Sequence, residues 1–146
     1  MTVRPATPKD AEAWMGMRTL LWPDCPEDHP NEIAGYFEAP PERAACLIAH
    51  HREEAAIGFA EVGLRDYAEE CLSSPVGYLE GIYVMEAHRR SGVGRALVEE
   101  AMAWARSLGC TEMASDRALA DEVSGHFHGS VGFSEVHRIV CYRMAL

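Results

Sequence analysis

The chain has 146 residues, 48% of them hydrophobic and 25% charged, the composition of a globular protein long enough to bury a core. Its 23 Asp and Glu against 13 Lys and Arg leave a net charge of -10, which argues against general nucleic-acid binding and suits either plain solubility or a cationic partner. No run approaches the roughly 18 apolar residues of a membrane span, and the start, Met1-Thr2-Val3-Arg4-Pro5-Ala6, has no apolar secretion-signal core.

Residues 2–4 read as a short strand stopped by Pro5. Thr7-Pro8-Lys9-Asp10 supplies a helix N-cap with proline in the first turn, and Ala13, Trp14, Met17, Leu20 and Leu21 carry helical spacing as far as Trp22. Pro23, Pro26 and Pro30 make the next stretch an acidic loop, followed by a short amphipathic helix from about 31 to 38 that Pro40-Pro41 ends. The apolar runs 44–50 and 55–64 flank the polar turn His51-Arg52-Glu53-Glu54 and predict a hairpin. A polar connection, 65–74, contains Asp66, Tyr67, Glu69 and Glu70. Residues 76–84 read as a buried strand in which Gly77 and Gly81 imply a bulge or the close approach of a ligand. Period two places Tyr78, Glu80, Ile82 and Val84 on one face, so Glu80 is a carboxylate among apolar neighbours.

A long helix follows from Gly92, with Leu97, Ala101, Trp104 and Leu108 spaced four, three and four apart, Gly94, Val98 and Ala105 widening the stripe, and Gly109 as C-terminal cap. A short strand at 112–115 leads to Asp116 at its carboxyl end, 121–130 is a second helix, and 133–138 with 139–144 are the last strands. With no repeat or linker, one mixed α/β domain spanning 1–146 is expected. Five cysteines (Cys25, Cys46, Cys71, Cys110, Cys141) form no C-x-x-C pair and read as reduced, mostly buried thiols of a cytoplasmic protein. His126 and His128 are not a metal pair, because alternate positions on a helix point apart; no metal is expected.

The junction between that buried strand and the long helix carries most of the functional signal. Arg89-Arg90-Ser91-Gly92-Val93-Gly94-Arg95 removes side chains where the turn tightens, so backbone N–H groups at the positive end of a helix can approach a phosphate or pyrophosphate. Gly92 and Gly94 could also do no more than let a turn pass into a helix, but three of the chain's 13 basic residues stand beside them. Neither a Walker P-loop nor a dinucleotide fingerprint fits.

This Arg-x-x-Gly-x-Gly turn resembles the pyrophosphate-binding motif of the GCN5-related N-acetyltransferases (GNAT). The resemblance implies a mixed central sheet flanked by helices, its fourth and fifth strands splayed apart to admit the pantetheine arm of acetyl-coenzyme A. It implies cofactor contacts from Ile82, Tyr83 and Val84 on the fourth strand, from the turn Arg89, Arg90, Ser91, Gly92, Val93, Gly94 and Arg95, and from Asp121 and Ser124. Asp121 stands where relatives commonly have Asn, and a carboxylate cannot donate a hydrogen bond there when ionised. The order of elements is that of the same fold.

Leu20-Leu21-Trp22-Pro23, residues 74–84, Ala114-Ser115-Asp116 and residues 132–142 resemble more narrowly the aminoglycoside 6'-N-acetyltransferases. That resemblance implies sugar contacts from Trp22 and Tyr67, an acceptor site lined by Glu80, Asp116 and Glu135, a cytoplasmic resistance enzyme and a homodimer, with no nucleic-acid or membrane partner. An ammonium group must lose a proton before it attacks a thioester, and Asp116 is the first candidate to accept it, Glu80 the second. Capping for Asp116, an arginine pair for Glu80 and core packing for Trp22 remain open. Backbone N–H groups near Ile82 would stabilise the oxyanion, and Tyr142 would protonate the leaving thiolate unless it simply packs in a strand. Nothing in the sequence sets a His-acid pair beside Cys141 as a nucleophile. Two other readings stand: acetylation of another cationic amine (polyamine, peptide amino terminus or lysine), and an acetyl-coenzyme A sensor without catalysis.

Overall fold

The apolar runs in the middle of the chain form a sheet, seen in a computed structural model that describes residues 1–52 and 55–146. Strands β1 (Thr2–Pro5), β2 (Ala44–His51), β3 (Ala55–Arg65), β4 (Val76–Val84) and β5 (Met113–Ser115) lie in the order β1-β2-β3-β4-β5. All neighbours are antiparallel except β4 and β5, which run parallel. The hairpin turn expected at 51–54 falls partly on residues 53 and 54, outside the described residues.

Four helices cover the two faces: α1 (Ala11–Leu21) and α2 (His29–Glu38) on one, α3 (Val93–Ser107) and α4 (Glu122–Val131) on the other. Alternation along β2 sends Cys46 and Ile48 toward Trp14, Met17 and Ile33 of α1 and α2. Leu47 and Ala49 point the opposite way, to Val93, Leu97, Val98 and Ala101 of α3. The apolar stripe read in α3 is the one buried, although Leu108 at its end is 41% exposed. Gly109 has φ +88°, the left-handed turn that favours glycine after a helix. Before α1 the Asp10 carboxylate accepts hydrogen bonds from the Thr7 backbone N–H (2.7 Å) and hydroxyl (2.8 Å), which fixes the first turn.

Three expectations change. The period-two face of β4 is interrupted, because Glu61 faces Gly81 while Val62 faces Leu79, leaving Glu80 as an extra residue in a bulge. Ile82 and Val84 therefore join Leu79 on the α3 side, while Tyr78 packs with Ala68 and Tyr83 with the α1 cluster. The approach that Gly77 and Gly81 permit is by protein: a Cβ would lie 2.7 Å from the Ala105 Cβ and 2.4 Å from the Trp22 ring, respectively. Residues 133–144 form no strands: the Phe133 N–H donates to the His128 carbonyl at the end of α4, no second strand lies beside the rest among the described residues, and 134–146 is exposed. Of the cysteines, all free, Cys46 and Cys110 are buried while Cys25 and Cys141 are exposed.

Candidate active site

The short length of β5 creates the site. It pairs with β4 only over Gly77–Met113, Tyr78–Ala114 and Leu79–Ser115, after which β4 continues to Val84 alone. The strands thus part beyond Leu79 and Ser115, leaving a backbone edge of β4 open where Ile82, Tyr83 and Val84 lie.

On the α1 side of this opening, polar groups converge on the buried Tyr78. Its hydroxyl donates to Asp116 Oδ2 at 2.6 Å, and the Arg65 guanidinium lies 3.4 Å from its ring centroid. Arg65 also donates twice to Glu80, at 3.0 and 2.7 Å. Burial and then the Asp116 hydrogen bond push the Tyr78 hydroxyl above its ordinary range, so it stays a donor and leaves Asp116 as the proton acceptor of the pair. Trp22 closes the next corner, its ring against Gly81 and edge-on to Phe59 at 6.5 Å, with Arg18 at 5.2 Å from it. The Trp22 carbonyl lies 2.9 Å from His29 Nε2. Tyr67, 70% exposed, stands beside Ala68, which packs on Tyr78.

Beneath α1 and α2 a cavity of about 160 Å³ runs toward Glu80, lined also by Trp14, Arg18, Glu32, Tyr36 and Glu61. Arg18 joins its walls, donating to Glu61 at 2.8 Å and pairing with Glu32. Burial raises Glu61 even against the attraction of Arg18 and the hydrogen bond from Trp14 Nε1.

On the other face lies the glycine turn. Gly92, at φ +89°, is the residue before α3, and a Cβ there would meet nothing within 4 Å, so the space beside it is open; the first N–H groups of α3 have no intrahelical partner. Arg89 donates to the Val84 carbonyl at 3.0 Å and lies 5.5 Å from the Tyr83 ring centroid; Ser91 Oγ donates to the His88 carbonyl at 2.6 Å. Arg95 donates to Ser130 O at the end of α4, and Arg90, φ +62°, is exposed. Val93 is buried and anchors the turn, while Phe127 of α4 packs on Gly94. An anionic, elongated ligand fits these features: an open cradle at a helix N-terminus, arginines around it and an unpaired strand edge beside it.

Asp121 caps α4, its Oδ1 accepting from the Ser124 N–H at 2.9 Å. Glu135 pairs with Arg138, and Tyr142 is 92% exposed; both lie on the exposed segment 134–146. Sequence reasoning gave no role to Arg65, Tyr78, Ser115 or His128. The strand register held the signal for Arg65, because placing it opposite Val76 sets it diagonally beside Tyr78. Among the described residues no three His, Cys, Asp or Glu side chains gather as metal ligands, and no described helix is long and apolar enough to cross a membrane.

Comparison with known proteins agrees with this geometry. An aminoglycoside N(6')-acetyltransferase type 1 of Klebsiella aerogenes is 48% identical, over 99% of this chain and 96% of its own. A crystal structure of aminoglycoside 6'-N-acetyltransferase AAC(6')-Ig from Acinetobacter haemolyticus superposes with a TM-score of 0.93 at 37% identity, covering 100% of this chain and 99% of the other. AAC(6')-Iy, in complex with the bisubstrate analog CoA-S-monomethyl-acetylneamine, gives 0.91 at 35% identity over 99% and 98%. The sequence signature of the acetyltransferase (GNAT) family covers residues 14–133, and with the parted strands and the glycine turn in place, this chain belongs to that family.

Proposed function

We propose that this protein transfers the acetyl group of acetyl-coenzyme A to the 6'-amine of aminoglycosides, and so confers resistance to them. The observation that carries this reading is the pair Glu80 and Asp116, set on the face of the parted strands opposite the glycine turn. The relatives' substrate is a polycation, and two carboxylates suit it. Acetyl-coenzyme A supplies an activated acetyl group; the turn 89–95 would hold its diphosphate, and the edge of β4 its pantetheine arm, with Asp121 and Ser124 nearby.

An alkylammonium with a pKa of roughly 10 is protonated at neutral pH. Asp116, held in place by Tyr78, would take its proton, while Glu80, Trp22 and Tyr67 orient the sugar. Backbone N–H groups of β4 near Ile82 would then meet charge developing on the carbonyl oxygen. Direct attack needs no enzyme nucleophile, and Cys141 is exposed.

The chain would act as one domain, in the cytoplasm, as a homodimer. What supports the dimer is 134–146: its backbone is unpaired and Val136, Ile139, Val140, Tyr142, Met144 and Leu146 are all exposed. An extended apolar segment of this kind needs a partner sheet or surface, and a second copy would thereby receive Glu135 and Tyr142.

The test is coenzyme A release by purified protein given acetyl-coenzyme A and kanamycin, tobramycin or neomycin, beside spermidine and lysine peptides. Saturable turnover on the antibiotics, lost when the 6'-amine is replaced by hydroxyl, is expected. Turnover on polyamines or peptides alone would discard the antibiotic reading, and none at all would favour a sensor.

A further inference from the structure

Ser115 and Asp116 are consecutive at the point where β5 leaves β4, so their side chains point to opposite faces of the sheet. Asp116 faces Tyr78 and Arg65. Ser115 faces α4, where its Oγ lies 2.9 Å from His128 Nε2 and 3.0 Å from the Leu79 carbonyl. The other ring nitrogen, Nδ1, is 2.7 Å from the Ser124 carbonyl oxygen, with the Ser124 hydroxyl at 3.3 Å. A carbonyl can only accept, so Nδ1 carries a proton, and Nε2 is the nitrogen that exchanges one with Ser115. In the imidazolium form the polar atoms order as one chain of donors: Nδ1–H to Ser124 O, Nε2–H to Ser115 Oγ, and Ser115 O–H to the Leu79 carbonyl, at the last pair before the strands part. Phe127 and Phe133 pack on the half-buried imidazole, ring centroids at 5.9 and 5.4 Å. Phe127 also touches Gly94, which ties the pair to the glycine turn.

We propose that Ser115 is a catalytic residue of the acetyl transfer and His128 its positioning and proton-supplying partner, together returning a proton to the departing sulfur. The inference rests on the acetyltransferase reading above. The ammonium gives up its first proton through Asp116 to solvent before attack; as the C–N bond forms and the C–S bond breaks, sulfur keeps the bonding electron pair and the amine loses its second proton to Asp116. Ser115 gives its proton to sulfur and takes one from His128 Nε2. Solvent then reprotonates His128 and accepts the proton held by Asp116, so charge and protons balance. The division follows the sheet: the face that accepts the amine's proton and the face that supplies the sulfur's are separated by the strand carrying both residues. Neighbouring elements bring Arg95 of α3 and Arg117 after β5 to α4, which itself carries Glu122 and His126 on its exposed side. The carboxylate nearest along the chain, Asp116, faces away.

Single-turnover rates of acetyl transfer, measured against pH for wild type, Ser115→Ala, His128→Gln, the double variant, Ser115→Thr and Tyr142→Phe, test this. Wild-type turnover on an aminoglycoside tests the parent reading; the ratios between variants test this one. Each of Ser115→Ala and His128→Gln is expected to lose about 100-fold in rate, with the double variant no worse than either, since residues acting as a unit are non-additive. The fall in rate at high pH should vanish in both single variants, Ser115→Thr should stay within about tenfold of wild type, and any loss in Tyr142→Phe should be smaller than in Ser115→Ala. Coenzyme A affinity and melting temperature separate a folding defect from a lost proton donor. A loss under about threefold in both single variants, multiplying losses in the double variant, a retained high-pH fall, or a large loss in Tyr142→Phe alone would overturn the proposal.

Discussion

Gly81→Ala joins the fold directly to the acceptor site. The new Cβ would stand 2.4 Å from Trp22 Cη2 and 2.5 Å from Cζ2, about 1 Å short of the 3.4 Å at which ordinary contact begins, with Leu21 Cδ2 at 3.1 Å behind. The indole cannot slide away freely. The Trp22 backbone N–H donates to the Arg18 carbonyl at 2.8 Å, its backbone carbonyl meets His29 at 2.9 Å, and its ring is flanked by Phe59 and Arg18. Overpacking of this kind costs about 1–3 kcal/mol. In a chain of this length that is a fall of roughly 3–12 °C in melting temperature. Because the displaced ring lies against the residue next to Glu80, the KM for the aminoglycoside should rise while that for acetyl-coenzyme A, which the glycine turn would hold, stays put. Thermal melts and initial-rate kinetics on the purified variant read both effects. A variant as stable as wild type with an unchanged aminoglycoside KM would refute the contact between this glycine and Trp22 and with it the placement of the ring.

Other perturbations reach separate parts of the molecule. Gly92→Asp places a carboxylate in open space at φ +89°, before α3, and should raise the KM for acetyl-coenzyme A at least about tenfold through backbone strain and repulsion of the diphosphate; an unchanged KM would remove the diphosphate from the turn. Asp116→Asn should lower kcat by about 100-fold or more with acetyl-coenzyme A binding intact, and an unaltered pH–rate profile would shift the proton acceptor elsewhere. Burial alone would raise the Asp10 carboxyl, but hydrogen bonds from Arg4, Thr7 and His50 reverse this and hold it well below the usual carboxylate range. Its stabilisation is therefore full above the unfolded value of about 3.9 and lost as pH falls toward the folded one, so Asp10→Asn should flatten the acid limb of stability measured by urea titration; an identical limb would refute this. Ile139→Asp with Val140→Asp should convert a dimer to a monomer in size-exclusion chromatography with light scattering, whereas a wild-type monomer would discard the dimer outright.

Legibility followed the reach of the interactions. The boundaries of β4 and the course of α3 could be read because each depends on a local apolar period and on caps adjacent in sequence. The face of β4 could not: the extra residue at Glu80 is defined by pairing with β3, a contact some twenty residues away in the chain, and it reverses every side chain beyond it. Residues 133–144 have strand composition without strand pairing, because composition records propensity and pairing requires a neighbour. At the site the single acidic residues stood out by their type, whereas Arg65, Tyr78 and His128 acquire meaning only from what the fold sets beside them. His128 lies next to Ser115 through the packing of α4 on β5, a distance that no spacing within either element encodes.

The Arg65–Glu80 pair bears on selectivity among cations. Arg65 occupies both Glu80 oxygens, and the pair is exposed enough, 42% and 38%, that it contributes only about 0–1 kcal/mol. An ammonium that reaches Glu80 therefore exchanges one cation for another at small cost and small gain. A monoamine obtains little from that exchange. A polycation would displace Arg65 from Glu80 while another of its ammonium groups meets Asp116. The released guanidinium still has the Tyr78 ring under it, 3.4 Å away. Affinity would then grow with the number and spacing of ammonium groups rather than with any one contact, and a shallow, half-exposed site of this kind would favour an amino sugar with several charges over a lysine side chain with one.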